Sequence, residues 1–161
     1  MSDVEAWRNA LWMVYKDNHE YVRHHEVQRS TVATLIVTVA GAALAVATFD
    51  QMLSPIDAPL LAVVTVLGIF GSFFSRKQFE RTRMHIERAD ALLREIAETL
   101  GGQEIVNVTN RADREHSRKF RNLYIVPVNR LWAWFYGFIS MLGALLLVLA
   151  LVQPFLQPAA G

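Results

Sequence analysis

Arg111 and His116 stand five positions apart in "RADREH", and both residue types work on phosphates. A guanidinium grips phosphate oxygens through a planar fork, and an imidazole near neutrality gives or takes a proton. The segment is so rich in arginine that chance accounts for the spacing, and the expectation is a non-enzyme with no catalytic residue. Glu20 and His24, with His25 adjacent, put two metal ligands on one helix but no third, whereas zinc takes three or four. Solvated helix residues explain them better, so neither a metal nor a cofactor is expected. There is no cysteine, which excludes thiolate sites and disulfides. P-loop, G-x-G-x-x-G, H-E-x-x-H and G-x-S-x-G patterns are all missing. The five histidines leave pH sensing open.

Phosphate recognition is the chemistry that remains. Lys77, Arg81, His85 and Arg88 recur at helical spacing, and Arg111, Arg114, Arg118, Lys119 and Arg121 form a second cluster. Residues 76–130 hold twelve basic and eight acidic side chains, a net charge of about +4. Such charge is drawn to anionic lipid by about 1 kcal/mol per residue near the surface. The sharper expectation is a nucleotide or oligonucleotide ligand held by Lys77, Arg81, Arg88, Arg111, Arg114 and Arg118.

The elements that must carry these residues are apolar to an unusual degree. Hydrophobic residues make up 53% of the 161-residue chain and charged ones 19%. Three runs hold no charge: 31–49, 59–75 and 131–152, of 19, 17 and 22 residues. As helices they reach roughly 26–33 Å, close to a hydrocarbon core of about 30 Å. Three uncharged helices would leave a soluble bundle nothing amphipathic to cover them. An all-α integral membrane protein with three spans is expected, in contact with the lipid bilayer. No signal peptide is expected, because the first thirty residues are polar. Of the 16 Lys and Arg, four lie in 1–30 and twelve in 76–130, while 50–58 carries only two aspartates. The positive-inside rule then puts the N-terminus and 76–130 in the cytoplasm, and the 50–58 loop and C-terminal tail 153–161 outside.

Along the chain, Ser2 and Glu5 read as a capping box opening an amphipathic cytoplasmic helix over 1–30. Its apolar stripe is Trp7, Leu11, Val14, Asn18, Tyr21 and Val22. Pro55 and Pro59 break the chain at an outer turn, making 31–75 a membrane hairpin. Gly101-Gly102 signals the end of the second helix. Residues 103–110 have no clear pattern, Thr109 or Asn110 can cap a helix over 111–124, and Asn129 can cap the third span. Trp132, Trp134 and Tyr136 suit an aromatic belt.

The second helix leaves its apolar run and becomes charged within four residues, at "FFSRKQFERTRMHIERADALLREIAETL", with no breaker between. In the charged half, Phe79, Thr82, Ile86, Ala89, Leu93, Ile96 and Leu100 fall on alternating three- and four-residue steps, a coiled-coil-like seam seeking a partner helix. In the same register the span presents Thr65, Gly68, Ser72 and Ser75. The first span has a matching stripe, Thr31, Thr34, Thr38, Gly41, Ala45 and Thr48. Small and hydroxyl-bearing stripes let helices pack closely. Alternatively the stripe of the second span, Thr65, Gly68, Ser72 and Ser75, lines a pore in a homo-oligomer joined through Phe79, Ile86, Leu93, Ile96 and Leu100. Packing of that seam within one chain, against the N-terminal helix or the 111–124 helix, is the competing expectation.

The layout resembles the SLATT-type membrane proteins of bacteria over about residues 15–100. There, "HEYVRHHEVQRS" leads into one span, an outer hairpin follows, and a second span runs into "FSRKQFERTRMHIERADALLREI". The resemblance implies an oligomeric inner-membrane effector of antiphage defence, gated by a nucleotide signal from a partner synthesising enzyme. The third span departs from the simple two-span layout. The rival functions are a non-conducting membrane scaffold or lipid-binding protein, and a membrane-tethered ribonuclease using the Arg111–His116 spacing found in HEPN-type enzymes.

Overall fold

The computed structural model describes residues 3–50, 52–100, 103–121 and 126–156. Among these residues every regular element is helical: α1 (Asp3–Ala47), α2 (Ala58–Leu100), α3 (Gln103–Lys119) and α4 (Val128–Leu156), with a 3-10 turn at Pro55–Asp57. By length and composition, helices α1, α2 and α4 are long and apolar enough to cross a membrane, which suggests a multi-pass membrane protein. Helices α1 and α2 have 45 and 43 residues, more than twice the roughly 20 needed to cross. The second helix therefore does pass from its apolar run into its charged run without a break. The chain divides into two units, Met1–Gln28 with Gln78–Pro127, and Arg29–Lys77 with Val128–Gly161.

The apolar unit is a bundle whose core stacks in three layers, each fed by α1, α2 and α4. Ala33 and Ile36 meet Tyr136 and Leu67; Ala40 and Ala43 meet Val64 and Ile139; Ala47 meets Leu61 and Ala150. Alanine dominates the buried side of α1 because small side chains bring backbones close where lipid supplies no hydrophobic drive. Glycines do the same between α2 and α4. A Cβ on Gly68 would overlap the Ser140 backbone, one on Gly71 the Tyr136 ring, and one on Gly143 would lie 2.8 Å from the Thr65 nitrogen. Leu35, Val66, Phe73 and Met141 point outward, each more than 60% exposed. So much outward apolar surface suits lipid, and in water it would be an aggregation hazard. The turn joining α1 to α2 is tied by Asp57, whose carboxylate accepts from the Ser54 amide at 2.9 Å and hydroxyl at 3.0 Å.

The charged unit pairs the start of α1 with the end of α2. Leu11, Asn18 and His25 are buried on α1, and Ala89, Ile96 and Ala97 on α2. The seam of α2 thus has a partner inside its own chain, joined by polar links: Asn18 to His85 at 3.0 Å and Gln78 to Gln28 at 3.2 Å.

Several local expectations are revised. The helix expected over 111–124 is α3, Gln103–Lys119, which starts eight residues earlier and runs through Thr109 and Asn110. Its interior has no proline or glycine, so nothing stopped the helix from extending backwards. Helix α4 begins at Val128, so Asn129 lies inside it rather than capping it. Pro59 sits in the first turn of α2, where its missing N–H has no helical partner to lose. Trp7, Val14 and Tyr21 of the expected N-terminal stripe are about half exposed, and the buried line is Leu11–Asn18–His25 at seven-residue steps. Ser2, Gly101 and Gly102 lie outside the described residues.

Candidate functional site

The two small-residue stripes, alike in sequence, have opposite places in the bundle. On α2, Gly68 and Ser75 are buried, Thr65 is half-buried with its hydroxyl donating to the Leu61 carbonyl at 2.9 Å, and Ser72 is half-buried at a groove against α4. The contacts at Gly68 and Gly143 spend this stripe on holding α2 to α4. On α1, Thr31, Thr34, Thr38, Gly41, Ala45 and Thr48 are all exposed. Thr34 and Thr48 turn their hydroxyls back onto the carbonyls of Ser30 and Leu44, at 3.0 and 2.9 Å, as threonines do in apolar surroundings. Nothing lies within 4 Å of a Cβ added at Gly41. This face of α1 is bare in the single subunit.

The seam of α2 is partly used up within the chain. Ile96 is buried, Phe79 and Leu93 are half-buried, and Ile86 is 42% exposed; the side chain of Leu100 lies outside the described residues. Ile96→Ser should cost the charged unit roughly 2–4 kcal/mol, whereas Ile86→Ser on the open flank should change stability by less than about 0.5 kcal/mol. Denaturant titration of both variants in detergent checks this. Equal losses would mean that Ile86 is as covered as Ile96.

Lys77, Arg81, Arg88, Arg111, Arg114 and Arg118 are all exposed, as a docking cation must be. Arg81 and Arg88 lie on α2 either side of His85, and the other three arginines lie along α3, while Lys77 belongs to the apolar unit. Arg111 and His116 are both exposed on α3. Five residues turn a helix by roughly 140°, so the two side chains of one chain diverge and cannot close on one phosphate. His116 instead lies against the Phe120 ring, 4.9 Å between centroids. Of the Glu20–His24–His25 group, Glu20 and His24 share a surface pocket with Asp17 and Tyr21, and His25 does not line it. Glu20 faces Arg23 at 3.8 Å, His24 bonds Gln28 at 2.9 Å, and His25 turns inward. No group of three metal-ligating side chains forms among the described residues.

A polar cluster that sequence reasoning missed sits where α1 meets α2. The Asn18 amide donates to the Val14 carbonyl at 2.8 Å, which leaves its oxygen to accept from His85 Nδ1 at 3.0 Å. Tyr21 stacks on the His85 ring at 4.9 Å, and the buried His25 ring lies 5.5 Å from it. Burial of His85, then the neighbouring His25, Arg88 and Arg81, all push its pKa below 6.5. These neighbours favour the neutral ring, and the tautomer that donates to Asn18 carries its proton on Nδ1. The available signal was the seven-residue step Leu11–Asn18–His25: a polar residue at a seam position often fixes the register of a helix pair. Compared with family models, with curated proteins and with solved structures, the chain matches none.

Proposed function

We propose that the chain assembles as a homo-oligomer into a membrane pore or membrane-disrupting effector, opened by a nucleotide or oligonucleotide bound to its basic cytoplasmic face. One observation carries this reading: the hydroxyl-bearing stripe of α1 points out of a bundle that is otherwise coated with large apolar side chains. The interior of the bundle is filled by its three core layers, so any permeation path must run between subunits. Of the faces available there, that of Thr31, Thr34, Thr38, Gly41 and Thr48 is the one water tolerates best. The α2 residues Thr65, Gly68 and Ser75 then serve the subunit, and the lining falls to α1. Arg81, Arg88, Arg111, Arg114 and Arg118 supply exposed cations for the phosphates of the signal. The resemblance to SLATT-type proteins supports a bacterial inner membrane, a defence role and a partner enzyme that makes the nucleotide. The N-terminus is cytoplasmic and the C-terminus extracytoplasmic in this reading, on the strength of the basic residues flanking the spans.

Ion flux from proteoliposomes tests it. The wild type should conduct when a nucleotide panel is added, and Gly41→Leu should cut the flux by about tenfold, since an apolar constriction gates by excluding water. The open space around Gly41 means that the substitution leaves the subunit intact. No flux under any condition, or a Gly41→Leu protein that conducts like wild type, would end the proposal in this form.

A further inference from the structure

The bundle carries a second feature, on the side where α2 meets α4. A groove of about 360 Å³ runs between them, within the roughly 300–1,000 Å³ of small-molecule sites. Ser72, Gly137, Ser140 and Ala144 line it with small side chains, Phe73 walls it on the outward side, and Arg76 stands at one end. Phe73 is 68% exposed, so the groove opens sideways towards the hydrocarbon. Gly137 contributes depth, because nothing lies within 4 Å of a Cβ placed there.

Charge decides what fills it. The charged residues of the apolar unit are Arg29, Arg76, Lys77 and Arg130 at one end, and Asp50 and Asp57 in the turn at the other. The end of the groove is therefore basic within this unit, and Glu80 follows Arg76 one turn further along α2. In a bilayer this basic end lies at the depth of one leaflet's headgroups. What lies at that depth with negative charge and an apolar tail is an anionic phospholipid.

We infer that this groove is a binding site for one anionic phospholipid of the leaflet at the basic end, with the phosphate on the Arg76 guanidinium and an acyl chain along Gly137, Ser140 and Ala144. Guanidinium and phosphate make charge-assisted, two-pronged hydrogen bonds, which gain strength beside hydrocarbon. The small lining residues lose little side-chain entropy when a chain settles on them. The Ser72 and Ser140 hydroxyls lie in the groove between the two, where ester oxygens of the lipid would pass. The site does not depend on whether the assembly conducts.

Detergent-solubilised full-length protein, titrated with phosphatidylglycerol or phosphatidylcholine and read by native mass spectrometry, tests the inference. One phosphatidylglycerol per protomer should be retained in preference to phosphatidylcholine. Arg76→Gln should weaken that retention by about fivefold or more, the size of one interfacial cation's attraction. Gly137→Leu fills the groove and should reduce it as far, with helix content and oligomer size unchanged. Lys77→Gln, outside the groove, should stay within about twofold of wild type. Equal retention of both lipids, or full retention by Arg76→Gln, would overturn the site. So would a Gly137→Leu protein that changes oligomer size but keeps its lipid, because the groove would then belong to a neighbouring subunit.

Discussion

Gly68→Val is expected to undo the packing of α2 on α4, while Gly41→Leu, a larger addition on the same bundle, leaves it intact. At Gly68 the first added carbon falls on the backbone nitrogen and Cα of Ser140, which have no rotamer to move into. Overpacking a core typically costs about 1–3 kcal/mol. A collision with backbone belongs at or above the upper end, because one helix must shift along its length and pull Gly71 off the Tyr136 ring and Thr65 off Gly143. At Gly41 the new side chain meets nothing within 4 Å. The measurement is resistance to heat and to protease in detergent. The Gly68→Val protein should lose its protected core at a temperature several degrees lower, with Gly41→Leu matching wild type. Similar behaviour of the two would mean that α2 and α4 are not in contact through Gly68.

Acid is expected to loosen the charged unit through His85. The folded state lowers this imidazole's pKa, so the unfolded chain binds the proton first. Well above pH 6.5 both states hold the ring neutral, and His85 costs nothing. As the pH falls through 6.5 the unfolded state gains a proton that the folded state resists, and stability drops until the folded pKa is reached. The groups facing the ring are Asn18, Tyr21 and His25 from α1, with Arg81 and Arg88 beside it on α2. Of these, Arg81, Arg88 and a protonated His25 oppose the new charge. Asn18 accepts from Nδ1 in either state and so does not select between them. His85→Gln should keep a donor for Asn18 while removing the proton-binding site. Thermal unfolding at pH 7.5 and 5.5 reads the difference: wild type should lose more stability on acidification than His85→Gln. Equal losses would place the titrating group elsewhere. The effect bears on the proposed function, because a ligand phosphate drawn to Arg81 and Arg88 would partly neutralise the charges that keep His85 unprotonated. Bound phosphate and bound proton should then favour each other.

That α1, α2 and α4 are long and apolar enough to cross a membrane was legible from residue order alone, because it depends on the length of an uncharged run, and length is a one-dimensional property. The unbroken passage of α2 from "FGSFFS" to "RKQFER" was legible for the same kind of reason: no residue between them stops a helix. Which face of each helix is covered was not legible. The α1 stripe around Gly41 and the α2 stripe around Gly68 have the same residue types and spacing, yet one is bare and the other pressed against Ser140. The seam of α2 promised a partner without saying whose; the start of α1 occupies it, leaving Ile86 at the edge. His25 and His85 are sixty positions apart and become ring neighbours only because α1 and α2 lie side by side. Arg76 and Gly137 share a groove for a like reason. Residue types and spacing determine what a face is made of, but its burial depends on what arrives opposite, and that is decided when the helices meet.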